Sequence, residues 1–223
     1  MDVADILQKA VLVLVPMVLS LTVHEYAHAR VAFALGDDTA ASMGRMNLNP
    51  MSHIDPFGTI LLPLMAVVFN SPVFFGWAKP VPVNPVQFTR KIRMKTGMLL
   101  TAAAGPTANI ALAFIIGILF SVLRSTGLDA SLGQSMISLL SQTFLINVVL
   151  AIFNLIPVPP LDGSRVLVGL LPDSLGRQFA YLERNPMFVI LAFAILITQA
   201  GSILQFPVAV VARTILFMTG NAS

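Results

Sequence analysis

Three stretches of this chain, residues 6–35, 94–123 and 133–156, are apolar over more than the ~20 residues that a helix needs to cross a bilayer. Lipid offers a backbone no hydrogen-bond partner, so long and uniformly apolar segments satisfy themselves as helices. The composition agrees. Of 223 residues, 57% are hydrophobic and 10% charged, with a mean hydropathy of +0.87. A soluble domain carries about 25% charged residues. These values exclude a soluble enzyme on a simple anchor and predict an integral, all-α polytopic membrane protein. No stretch has the length and polarity of an extra soluble domain, so residues 1–223 read as one membrane domain. The net charge is only +3. Arg90, Lys91, Arg93 and Lys95 adjoin an apolar run, which suits a membrane surface and not nucleic acid. The absence of cysteine removes thiolate ligands, a cysteine nucleophile and disulfides. Asp2, Asp5 and Lys9 precede the first apolar run, whereas a cleavable leader opens on a basic region, so none is expected to be removed.

The remaining apolar runs are interrupted. Residues 58–77 contain Pro63, Asn70 and Pro72. Residues 78–89 carry prolines at 80, 82 and 85, which predicts an extended or small β element near 78–87. Residues 187–219 hold Gly201, Ser202 and Pro207 near their middle. At about 1.5 Å per residue they overrun one crossing, which predicts a C-terminal membrane hairpin. The basic cluster at 90–95 places the start of the 94–123 span on the cytoplasmic side. The 133–156 span then returns inward, and the polar hinge 157–165 emerges on that side. The first span must also run inward to bring its C-terminal half to the same depth. Residues 58–77 then leave from and return to the cytoplasmic face, as a re-entrant or hairpin segment.

Within the first span, residues 24–28 read His-Glu-Tyr-Ala-His. On a helix His24 and His28 lie one turn apart on one face, so both imidazoles can reach one metal ion. Glu25 is one residue round, within reach of a water on that metal. Two histidines and a general base at this spacing are the zinc-hydrolase pattern. Charged groups at membrane depth are costly, which makes the cluster a functional site. Catalytic zinc takes three protein ligands and keeps one position open. The chain has two glutamates and eight aspartates from which to draw the third. Glu183 and Asp173 lie in a polar loop, and Asp37 and Asp38 stand just past the first helix. Asp162 closes the run FNLIPVPPLDG (153–163), where prolines break a helix at the membrane boundary and can turn a carboxylate into the bundle.

HEYAH in the first span, AGPTAN (104–109) in a later one and FNLIPVPPLDG after the next resemble, in order and spacing, the site-2 protease family of intramembrane zinc metalloproteases. The resemblance covers roughly residues 10–170. The loop NLNPMSHIDPFGT (47–59) and the segment GWAKPVPVNP (76–85) are similar to those of a prokaryotic subgroup of small members without PDZ or CBS domains. The resemblance implies a three-helix catalytic core with flanking membrane helices. It implies one Zn2+ per chain on His24, His28 and Asp162, with Glu25 as general base for a zinc-activated water. Asn154 matches an asparagine that faces the active site. Gly105, Pro106 and Asn109 match a glycine-proline-asparagine turn. Asn154 or Asn109 would hydrogen-bond the oxyanion.

The implied substrate is another protein's transmembrane segment, locally unwound, in the plasma membrane of a prokaryote, with the active site toward the cytoplasm. Partners are that substrate and the bilayer, with room for a regulatory membrane protein. The extended segment suits pairing with a strand-like substrate, so Val81, Val83 and Asn84 are candidate contacts. His53 is a further candidate, as substrate contact, spare ligand or plain loop residue. Two other readings stand beside this one. A membrane metalloprotease that cuts exposed segments would take Glu183 as third ligand. A non-enzymatic zinc-binding membrane protein, such as a transporter, would spread carboxylates and histidines along a path.

Overall fold

The computed structural model describes residues 2–70, 76–128 and 133–221. Eight α-helices are named in chain order: α1 (Val3–Ala34), α2 (Thr39–Ser42), α3 (Leu62–Val68), α4 (Met94–Thr126), α5 (Gly133–Asn154), α6 (Asp162–Leu170), α7 (Asp173–Glu183) and α8 (Pro186–Met218). Four of them, α1, α4, α5 and α8, are long and apolar enough to span a membrane. The protein is an all-α polytopic membrane protein, and among the described residues there is no β-strand.

Helices α1, α4 and α5 form the core, each packed on the other two. Helix α4 runs antiparallel to α1, pairing His24 with Asn109 and His28 with Thr101, and antiparallel to α5 as well. The C-terminal ends of α1 and α5 therefore meet the N-terminal end of α4. Small and polar residues face inward: Ala29, Ala32, Ala102, Ala113, Ala151, Thr22, Asn109 and Asn147 are all buried. Leu7, Val11, Val15 and Leu19, one turn apart on α1, are exposed and face outward. That inversion suits lipid, where close backbone approach and polar contacts hold helices together.

Helix α1 starts at Asp2, whose side chain caps the first turn in a capping box with Asp5. It ends at Gly36, whose φ of +104° favours glycine. Asp55 caps the next helical stretch, accepting from the N–H groups of Phe57 and Gly58, and Pro56–Leu61 continues into α3. Pro56–Val68 rises only about 20 Å, short of a bilayer core of about 30 Å. The chain comes back to its entry point: the N–H of Trp77 donates to Gly58 O at 3.2 Å, and Thr59 Oγ1 donates to Trp77 O at 2.7 Å. This is an excursion and not a crossing. Pro72, counted above among its breakers, lies outside the described residues.

Residues 77–84 follow as an extended strap, closed by a short helical turn at Pro85–Gln87. The strap is held by side chains and carbonyls of the loops around it. Lys79 donates to His53 O, Arg45 Nη2 donates to the carbonyls of Lys79 (2.8 Å) and Pro80 (3.3 Å), and Asn84 N–H donates to Asp37 Oδ2 (2.6 Å).

The hairpin expected over 187–219 is instead one continuous helix, α8, with Pro207 inside it. Breaking this stretch would leave backbone groups unpaired among Ile203, Phe206 and Val210, all exposed on an apolar face. Proline costs one hydrogen bond, and a break would cost several. The second half of α8 packs through Ile215 against Ala113, Ile116, Phe144 and Val148 of α4 and α5.

Candidate metal centre

His24 and His28 share the inner face of α1, and Asp162 opens α6 directly after the broken hinge. Glycine at 163 makes that placement possible, because a Cβ there would collide with the carbonyls of Leu155 and Ile156. His24 Nε2 and His28 Nε2 stand 3.1 Å and 3.2 Å from Asp162 Oδ2, and 3.0 Å from each other. All three residues are buried or half-buried.

The second nitrogen of each ring fixes its hydrogen. His28 Nδ1 lies 2.7 Å from Thr101 O, a carbonyl that only accepts, so Nδ1 carries the proton. His24 Nδ1 lies 2.6 Å from Asn109 Oδ1. With both imidazoles neutral, both Nε2 atoms then turn lone pairs toward an acceptor-only carboxylate. Three such atoms repel one another unless a cation sits between them. Ligands about 2.0 Å from a tetrahedral zinc stand about 3.3 Å apart. The three separations here fit that edge, so the residues fit the metal. Among the described residues this is the one group of three or more that could hold an ion. Glu183, on α7, and Asp173 and Asp37 are not part of it. Asp173 pairs with Lys95 at 2.9 Å, and Asp37 tethers the strap.

The three residues line a cavity of about 460 Å³, together with Glu25, Trp77, Val81, Val83, Asn154, Arg165 and Phe193. Glu25 faces this cavity, and its Oε2 accepts a 2.8 Å hydrogen bond from the N–H of Val81. Asn154 also lines it. One amide hydrogen of Asn154 goes to Leu150 O at 3.0 Å, which leaves the other for a ligand.

Other expectations are corrected. Asn109 is not an oxyanion donor. It is fully buried behind His24, and its amide hydrogens go to Ser20 O (3.1 Å) and Asn147 Oδ1 (2.7 Å). Asn84 does not line the cavity; its side chain accepts from Val86 N–H and caps the turn after the strap. His53 is neither a ligand nor a surface residue. It is buried at 2% exposure and donates from Nε2 to Asn47 O at 2.9 Å.

Sequence reasoning gave Gly105 only as part of a glycine-proline-asparagine turn. The structure sets it against the metal group, where a Cβ would collide with His28 Nε2 and His24. Its place in the AGPTAN motif was the available signal. Asn147 and Arg45 were missed, and nothing in the local sequence marks either.

A hydrolytic metal group inside a bundle of membrane-spanning helices is the mark of a membrane metalloprotease. The family description "Peptidase family M50" matches residues 124–199, which include Asn154 and Asp162. "Putative zinc metalloprotease YwhC" of Bacillus subtilis is 37% identical over 195 residues, covering 86% of this chain and 83% of its own. "Putative zinc metalloprotease Rip2" of Mycolicibacterium smegmatis is 27% identical over 85% of this chain and 68% of its own. No solved structure matches at a significant level. The chain belongs to peptidase family M50, the site-2 protease family. It is a membrane zinc metalloprotease, and zinc is its cofactor.

Proposed function

We propose that this protein hydrolyses peptide bonds in or near transmembrane segments of other membrane proteins, with His24, His28 and Asp162 as the zinc ligands. The observation that carries the reading is the convergence of two imidazole nitrogens and a carboxylate oxygen, within 3.2 Å of one another, on a cavity enclosed by spanning helices. Bound zinc supplies a Lewis acid that polarises a carbonyl oxygen and lowers the pKa of coordinated water to about 7.

The chain's own residues do the rest. Glu25 takes a proton from the attacking water and returns it to the leaving amine. The Val81 amide holds one oxygen of Glu25, which leaves the other to handle the proton. The free amide hydrogen of Asn154 meets negative charge developing on the carbonyl oxygen. Trp77, Val81, Val83 and Phe193 give the cavity apolar walls for an unwound, largely apolar peptide. The whole of residues 1–223 acts as one membrane-embedded unit.

The metal group faces the cytoplasm. At its end of the bundle lie Arg45, Lys79, Arg90, Lys91, Arg93, Lys95, Arg165, Arg177 and Arg184, against Lys9, Arg124 and Arg213 toward the other end. That asymmetry supports a cytoplasmic site in a plasma membrane.

Glu25→Gln tests the reading. Glutamine keeps size and hydrogen bonding but takes no proton. The variant is expected to bind zinc and fold as wild type while losing cleavage of a membrane-embedded substrate. More than a small residual rate would remove Glu25 from the role of base.

A further inference from the structure

Ser20, Asn109 and Asn147 come from α1, α4 and α5, and each has no exposed surface. Buried amides pair every group they can, and backbone carbonyls can only accept. Those two rules fix the direction of each bond among them. Asn147 Nδ2 lies 2.8 Å from Thr143 O, so that end of the side chain is the NH2. Its other hydrogen goes to Ser20 Oγ at 2.8 Å, which spends its own hydrogen on Pro16 O at 2.7 Å. Asn147 therefore turns Oδ1 toward Asn109, at 2.7 Å from Nδ2. The same Nδ2 lies 3.1 Å from Ser20 O, a second carbonyl. Asn109 is thereby left to present Oδ1 to His24 Nδ1 at 2.6 Å. An oxygen there demands a hydrogen on Nδ1.

We propose that Asn147 and Ser20 are positioning residues of the metal centre: through Asn109 they form a one-way hydrogen-bond relay that locks His24 in its Nδ1–H tautomer. That tautomer alone leaves Nε2 bare toward His28 and Asp162. The proposal rests on the reading of His24 as a ligand only for its consequence, metal affinity. The bonds behind the ring, and the hydrogen they demand on Nδ1, do not involve the metal. His28 needs no relay, because Thr101 O fixes its ring directly. The relay also explains why two asparagines and a serine are buried where apolar side chains would pack three helices as well.

Two measurements on the full-length protein in detergent test this. The first is the tautomer of His24 in metal-free protein, read from 15N shifts of labelled histidine at pH 8, where an ordinary imidazole is neutral. Wild type should show His24 protonated at Nδ1, and Asn147→Leu and Ser20→Ala should admit the Nε2–H form. The second is zinc affinity against a chromophoric chelator. Loss of a partner behind a ligand costs about 10- to 100-fold. Asn147→Leu should fall in that range, and Ser20→Ala, one bond further from the ring, should lose less. Thr22→Ala removes a buried hydroxyl that bonds only to its own helix at Val18 O, and it should leave affinity unchanged. A general loosening of the bundle would lower affinity in Thr22→Ala as well, and that result would overturn the assignment of the loss to the relay. A wild-type His24 with no hydrogen on Nδ1 overturns the relay. So does unchanged affinity in Ser20→Ala together with an unchanged tautomer, and that variant decides the matter if Asn147→Leu does not fold. Wild type that binds no zinc overturns the metal reading instead, and the tautomer still decides the relay.

Discussion

The backbone N–H of Val81 donates a 2.8 Å hydrogen bond to Oε2 of Glu25. Its neighbours Pro80 and Pro82 have no N–H, so Val81 supplies the only donor at this point of the strap. The strap reaches that position because the guanidinium of Arg45 holds the carbonyls of Lys79 and Pro80. Arg45→Met keeps the length of the side chain and removes both contacts. A displacement of about 1 Å in catalytic geometry costs on the order of 100-fold in rate. The expected outcome is a fall in kcat of about 10- to 100-fold on a membrane substrate, with zinc content unchanged. Arg45→Lys, with a single ammonium for the same carbonyls, should recover part of it. Full activity in Arg45→Met would detach the strap from the base.

Gly105 and Gly201 make a contrasting pair. A Cβ at Gly105 runs into His28 and His24, whereas one at Gly201 meets nothing within 4 Å. Gly105→Ala is expected to weaken zinc binding by at least about tenfold, the scale on which changes around metal ligands act. Gly201→Ala should leave zinc and activity alone and stabilise α8 by up to about 1 kcal/mol, the helix-propensity difference. Zinc titration and thermal melts on both variants check this. Equal zinc affinity in Gly105→Ala and wild type would mean that α4 can withdraw from the metal group at no cost.

These residues also mark where the sequence was legible. His24, Glu25 and His28 announce themselves because spacing on one helix is local and charge at membrane depth is rare. Asp162 could be picked out because prolines and a glycine surround it in a chain short of carboxylates. The three long spans and the excursion at 58–77 followed from run lengths and basic residues, and the grouping of those spans into a core came from the family resemblance. The hydrogen bond from Val81 to Glu25 joins groups 56 positions apart, and the one from Asn147 to Ser20 spans 127. No local pattern encodes either. Asn109 was misread because an asparagine near a site can face the substrate or stand behind a ligand, and only its partners distinguish the two. The hairpin at 187–219 failed for a different reason. Gly201 and Pro207 punctuate helices in water, but in lipid the cost of unpaired backbone outweighs both.

The pair of Lys95 and Asp173 gives a pH dependence. The hydrogen bond from Lys95 and then its charge hold the Asp173 carboxyl below the usual carboxylate range. A depressed carboxylate contributes stability above its unfolded pKa and loses it as pH falls through the folded value. Lys95 also donates to Leu171 O at the end of α6, so the pair ties α4 to the α6–α7 turn. Wild type should melt slightly above Asp173→Asn at pH 7, and the gap should close below the carboxylate range. The side chain is exposed, so raised salt should shrink the gap at pH 7 as well. A gap that survives at low pH would assign the difference to something other than this pair.

Access to the cavity gives the last prediction. A membrane-spanning substrate cannot enter through water, so it must pass between helices. The cavity is bordered by Trp77 and Val83 of the strap and by Phe193 of α8. The first half of α8 is the less anchored half: Met187, Ile190, Leu191 and Ile195 are exposed, while the cluster holding α8 to the core lies around Ile215. The substrate is therefore expected to enter between the strap and the first half of α8. The chain has no cysteine, so single cysteines report contact without background. In the Glu25→Gln background, cysteines at Val83 and Phe193 should each crosslink to a cysteine placed near the substrate's cut site. Cysteines at Ser174 and Gln178, on the exposed face of α7, should not. A second variant tests passage separately from contact. A reducible bifunctional crosslinker joining cysteines at Val83 and Phe193 across the cavity should close the route and stop cleavage until it is reduced, with zinc retained throughout. Capture from α7 alone, or cleavage that continues with the crosslink in place, would move the entrance elsewhere on the bundle.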